Sequence, residues 1–151
     1  ALPDGKHKML LDLTITGPGM FSLKELFDLS KELGVRMETK MMFAFHPDMV
    51  FSAFAWPRHI LDKVIDDNLA YMLPTADRLQ ETLINTLQEM KKRPTFAEQW
   101  EDHHEPSVGG RQFQARLSRI RKDKEMGMPT IEDIYEEHCP ELYNWWMECY
   151  E

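Results

Sequence analysis

The side chains able to carry chemistry fall in a few places along the chain. His46-Pro47-Asp48 closes an apolar run that reads as a strand, and the carboxyl end of a strand is where α/β proteins take ligands. The same tripeptide also reads as a plain turn, and the sequence leaves both open. His103 and His104, flanked by Glu101, Asp102 and Glu105, are of metal-ligand type. Adjacent side chains point apart, however, and the HExxH spacing is absent, so a solvated polar loop is expected and no metal site. Cys139 and Cys149 are the only cysteines, too few for a disulfide framework and wrongly spaced for a CxxC site. No Ser/His/Asp or Cys/His order has a supporting local signature. Gly17-Pro18-Gly19 is no phosphate loop, because Pro18 lacks the amide such a loop uses. No catalytic residue is assigned.

Two sets of polar residues stand at regular spacing. Asp12, Thr14 and Thr16 alternate with Leu11, Leu13 and Ile15 over residues 9–16, a period of two that predicts a strand with one apolar and one polar face. Glu38 and Lys40 give the following run, residues 35–45, a similar face. Between them Ser22-Leu23-Lys24-Glu25 is a capping box, Leu23, Leu26, Phe27, Leu29 and Leu33 recur at helical spacing, and Gly34 stands where a left-handed cap is wanted. Strand, helix, glycine, strand is a βαβ pattern with parallel strands and a right-handed crossover. One such pair leaves sheet surface uncovered, since parallel sheets are normally buried on both sides.

The remainder reads as helical. Pro57 is expected at a first helical position, with Ile60, Leu61, Val64, Ile65 and Leu69 as its stripe. Thr75 is expected to cap a helix carrying Leu79, Leu83, Leu87 and Met90, which stops before Pro94. Residues 103–110 read as a loop and the one candidate hinge. Residues 111–126 form a basic helix with Phe113, Leu117 and Ile120 inward, and Thr130 with Asp133 caps the last helical stretch, interrupted at Pro140. The fold class is therefore an α/β start over residues 1–56, followed by a helical extension over 57–151.

Arg111, Arg116, Arg119, Arg121, Lys122 and Lys124 concentrate charge on one helix, whereas residues 132–151 hold acids and no Lys or Arg. The helix either meets an acidic partner, with Arg116 and Arg119 as interface candidates, or packs beside the acidic stretch, which is the expectation. Trp145 and Trp146 are likewise interface anchors if exposed and tail-docking residues if buried, and docking is expected. Eleven Met residues point to an adaptable core. The 151 residues carry 18 basic and 26 acidic side chains, a net charge of −8 that disfavours a nucleic-acid partner. No run reaches the roughly 18 consecutive apolar residues of a membrane span. The cysteine usage leads us to expect the cytoplasm. Ala1-Leu2-Pro3-Asp4-Gly5 looks like a cut end, so either processing or a longer parent chain is expected.

Residues 11–69 resemble the late barrel portion of radical S-adenosylmethionine proteins, especially relatives with a shortened "twitch" extension. The matching pieces are Leu23-Lys24-Glu25-Leu26, Leu33-Gly34-Val35, His46-Pro47 and Trp56-Pro57. Residues 113–127 resemble the family's basic helix ahead of a Gly, and Pro140-Glu141-Leu142 its terminal Pro-Glu-Leu. The resemblance implies a partial-barrel fragment whose polar strand residues Asp12, Thr14, Thr16, Glu38 and Lys40 line the substrate side. It also places Met42, Phe43 and His46 near the cofactor. It implies a [4Fe-4S] cluster and S-adenosylmethionine for a full-length parent, held by a Cys-x3-Cys-x2-Cys loop. This sequence has no such loop, so no cofactor and no activity are expected of the chain alone. Gly17-Pro18-Gly19 also departs from relatives that carry Asn there. The expected partner is the missing barrel portion or a second copy of the chain. The rival reading is a self-contained α-rich interaction module. A third, metal-dependent hydrolysis at His46, His103 and His104, would require bound zinc or iron.

Overall fold

Alternating apolar residues place β1 at Leu10–Ile15 and β2 at Arg36–Met41, and the two pair in parallel with Asp12 opposite Glu38 and Thr14 opposite Lys40. The computed structural model describes residues 9–42, 45–123 and 127–150. The crossover between the strands is α1, Leu23–Leu33. Gly34 ends it at φ 63°, a left-handed conformation that costs glycine least, and its N–H donates to Ser30 O. Ser22 does not cap α1. A 3-10 turn, Pro18–Ser22, runs straight into the helix, so Ser22 already has near-helical backbone angles and its hydroxyl makes no capping bond.

Five of the helices that follow are α2 (Arg58–Met72), α3 (Glu81–Lys92), the short α4 (Phe96–Gln99), α6 (Ile131–His138) and α7 (Pro140–Met147). The sixth, α5, spans His104–Asp123. Pro57 precedes α2 as its N-cap, one residue outside the expected position. Asp77 rather than Thr75 starts the next segment: its carboxylate accepts from Leu79 N at 2.8 Å while Gln80 Oε1 accepts from Asp77 N at 3.0 Å. Gln80 then donates from Nε2 to Ser30 Oγ at 2.9 Å, a buried bond that ties this turn to α1. Thr130 and Asp133 cap α6 reciprocally, as expected.

The expected loop over 103–110 is, from His104 onward, instead the start of α5. Pro106 lies in the first turn, where its missing N–H removes no helical bond. Gly110 is needed for proximity, since a Cβ there would lie 2.3 Å from the Asp48 carbonyl oxygen. The inward face of α5 also differs from expectation. Phe113 is 55% and Ile120 49% exposed, whereas Ser107, Arg111, Gln114 and Ser118 are buried. Those four recur at helical spacing, and small or hydrogen-bonding side chains let the helix close on neighbouring backbone.

One core joins the two halves of the chain. Ile15 and Met37 from the strands meet Leu23 and Phe27 of α1, Ile60, Leu61 and Ile65 of α2, Leu83 and Leu87 of α3, and Trp146 of α7. Helices cover one face of the sheet, and α3 flanks β2, with Thr86 Oγ1 donating to Thr39 O at 3.5 Å. Among the described residues the sheet has two strands, and no strand pairs with the other edge of β1. No helix among these residues is long and apolar enough to cross a membrane.

Candidate functional site

The strand period of two sends Asp12, Thr14, Glu38 and Lys40 to the face away from the core. Asp12, Thr14 and Lys40 are exposed and Glu38 is half-buried. Lys40 Nζ stands 3.9 Å from Asp12 Oδ1, and Arg36 Nε donates to Glu38 Oε1 at 2.8 Å. Four of the five expected substrate-side residues therefore share one open surface, and Arg36 joins them. Its parity with Glu38 and Lys40 was the sequence signal for it. Thr16 does not join. β1 ends at Ile15, and Thr16 Oγ1 instead accepts from Gly19 N at 3.0 Å, holding the turn that leads to α1.

The carboxyl ends of the strands are tied to the loop after β2. Met42 N donates to Ile15 O at 3.0 Å, and Ser52 Oγ donates to Met42 O at 3.1 Å. Gly17 N donates to Phe51 O at 2.5 Å. Met42 is half-buried here, whereas His46 is exposed and engaged with Asp48, its Nδ1 2.8 Å from Oδ1. Phe43 lies outside the described residues.

Beneath Gly17 sits a group that local pattern could not reveal. A Cβ on Gly17 would come within 2.8 Å of Tyr135 Oη, and the Trp56 and Tyr135 rings meet edge to face at 5.8 Å. The Tyr135 hydroxyl and the Trp56 indole N–H are buried beside each other, with no well-formed hydrogen bond among the described residues. Burial pushes the Tyr135 hydroxyl well above the ordinary tyrosine range. These residues come from the 3-10 turn region before α2 and from α6, so only the tertiary fold unites them.

The basic helix packs on the tail, as expected. Arg111 is 3% exposed; its Nη1 donates to Trp145 O at 2.6 Å and its guanidinium lies 4.1 Å above the Trp145 ring. Burial pulls its pKa down, against the charges of the neighbouring C-terminal residues. Gln112 Nε2 donates to Cys149 O at 3.3 Å, and Lys122 Nζ pairs with Asp133 Oδ1 at 3.4 Å. Trp146 is fully buried and Trp145 half-buried. Trp146 is thus a docking residue with no surface to offer a partner, while Arg116 and Arg119 remain exposed beside a shallow cleft of about 280 Å³.

No set of metal ligands assembles among the described residues: they contain no group of three or more His, Cys, Asp or Glu side chains able to hold an ion. His103 Nδ1 engages Trp100 O at 3.2 Å and its ring stands at 84° to that of His104. Cys139 is buried at the α6–α7 junction and Cys149 is partly buried in the tail. Two thiols so placed do not fit an iron–sulfur cluster, which takes three or four from one site. Comparison with known protein families, curated proteins and solved structures gave no match.

Proposed function

We propose that this chain is the C-terminal portion of a radical S-adenosylmethionine protein, completing the barrel and its substrate side and inert when alone. The observation that carries the reading is the parallel βαβ unit, whose polar face and outer β1 edge are neither covered nor paired by any described element. Parallel strands are normally paired and covered on both sides, and in a βα barrel the inward face beside the carboxyl ends is where substrate lies. In that setting further strands add to β1, and Asp12, Thr14, Arg36, Glu38 and Lys40 supply hydrogen bonds and charge to a polar substrate. Met42 and His46 stand at the carboxyl end of β2, on the side where the cofactor would approach. The cluster and S-adenosylmethionine belong to the preceding barrel portion, so no bond-making step is assigned to this chain.

The test is to read the coding sequence in frame ahead of the Ala1 codon and to reconstitute the longer product with iron and sulfide. The expected result is a Cys-x3-Cys-x2-Cys loop, brown cluster absorbance in the longer chain, and slower amide exchange in β1 than in the short chain. A start codon directly before Ala1, or an upstream segment without the cysteine loop, overturns the reading. The rival interaction module then takes its place, supported by the outward apolar stripe of Phe113 and Ile120 beside Arg116 and Arg119.

A further inference from the structure

A second concavity lies between the Pro18–Ser22 turn, α2 and the α6–α7 junction. Its volume is about 480 Å³, within the range of small-molecule sites. None of its lining residues belongs to the open sheet face, so the inference does not depend on the barrel reading.

The decisive group is Asn68, which lines the cleft and is 3% exposed. Its Nδ2 donates to Val64 O at 2.9 Å and to Met20 O at 3.4 Å. Those two carbonyls fix the orientation of the amide, because a flipped amide would set Oδ1 against them. Oδ1 receives no hydrogen bond from the described residues and is left as an acceptor for an occupant of the cleft. An occupant that brings an N–H or O–H can donate to it.

Charge narrows the class. Glu25, Asp67 and Glu141 line the cleft against Lys24 and Lys63. Both lysines are already engaged, Lys24 with Asp67 at 2.6 Å and Lys63 with Glu141 at 3.5 Å, while Glu25 has no ion-pair partner among the described residues. One negative charge remains, which favours a cation. Met20, Val64, Phe21 and Pro140 give the wall its apolar part, beside Cys139 and His138, whose ring stacks on Phe21 at 5.4 Å. We propose that this cleft binds a small organic cation, an apolar body carrying a protonated primary amine that donates to Asn68 Oδ1 in the field of Glu25.

Phenethylamine is the probe, titrated into ¹⁵N-labelled protein beside the matched anion phenylpropionate and the neutral phenylethanol. The amine is expected to shift the Asn68 side-chain amide and the His138 and Cys139 backbone amides saturably, with a Kd of about 1 mM or tighter. The anion and the alcohol are expected not to saturate. Asn68→Leu is expected to abolish the shifts. Because that variant also loses the bonds to Val64 O and Met20 O, Glu25→Gln serves as the second variant and is expected to weaken binding about two- to fivefold, the effect of a partly exposed charge. The proposal is overturned by no saturation below about 10 mM, by equal shifts with all three probes, or by unchanged affinity in folded Glu25→Gln.

Discussion

The open face of the β1–β2 sheet and the contact between α5 and the tail are both built from polar side chains, and they meet water in opposite ways. On the sheet, Asp12 and Lys40 stand 3.9 Å apart in solvent, where an ion pair adds about 0–1 kcal/mol. At the tail, Arg111 is sealed between α5 and Trp145 and spends a hydrogen bond on a helix-end carbonyl. Glu132 accepts from the Tyr150 hydroxyl and from Trp146 Nε1 nearby, so that α6, α7 and the last residues close on one carboxylate. The difference teaches that a polar face in the sequence marks a surface only when nothing nearby needs hydrogen bonding. The carbonyls at the end of α7 do need it.

The comparison is broken most severely by Trp146→Ala. It empties a fully buried site that touches Tyr135 and Trp145, and about 3–5 kcal/mol of stability should be lost in urea unfolding. Gly110→Ala comes next. The new methyl meets the Asp48 carbonyl, which is backbone and cannot swing aside, and α5 should be pushed off the loop after β2 at a cost of about 1–3 kcal/mol. A smaller effect comes from alkali. Burial, followed by the Glu132 carboxylate, raises the Tyr150 pKa above its ordinary value. The stability this contributes is complete below about pH 10, the unfolded tyrosine value, and is lost as pH rises through the higher folded value. Unfolding midpoints measured on either side of that pH should fall on the alkaline side, and Tyr150→Phe should flatten the decline. The smallest effect belongs to the sheet: Asp12→Asn should change stability by less than about 0.5 kcal/mol. A larger loss would show that the open face is not the passive surface described.

Much of the architecture could be read from local pattern. The alternation around Asp12 and Thr14, the glycine at 34 and the Thr130–Asp133 box each depend on neighbours within a few residues, and each stands where the pattern put it. The start of α5 could not be read in that way. Pro106, Gly109 and Gly110 break helices in isolation, but here Pro106 occupies a harmless turn and Gly110 is selected by the loop it touches. The orientation of α5 failed for a related reason. Hydrophobic spacing pointed Phe113 and Ile120 inward, while the surroundings of the helix called for Arg111 and Gln114 instead. Of the candidate site, strand parity located Asp12, Thr14, Glu38 and Lys40, but it could not show where β1 ends and thus released Thr16 to the turn. The Trp56–Tyr135 pair and the Asn68 acceptor arise from long-range contacts that leave no local trace.

No described strand pairs with the outer edge of β1, and that bears on how the protein behaves at high concentration. An unpaired strand offers its backbone to any extended chain, and aggregation through strand addition is the usual outcome where that strand is apolar and uncharged. β1 reads Leu-Leu-Asp-Leu-Thr-Ile, so Asp12 is its single charge. Because a carboxylate in the middle of the strand opposes stacking of like copies, Asp12 acts as a gatekeeper against self-assembly. Its replacement, nearly silent in an unfolding curve, would register instead as turbidity and lost solubility.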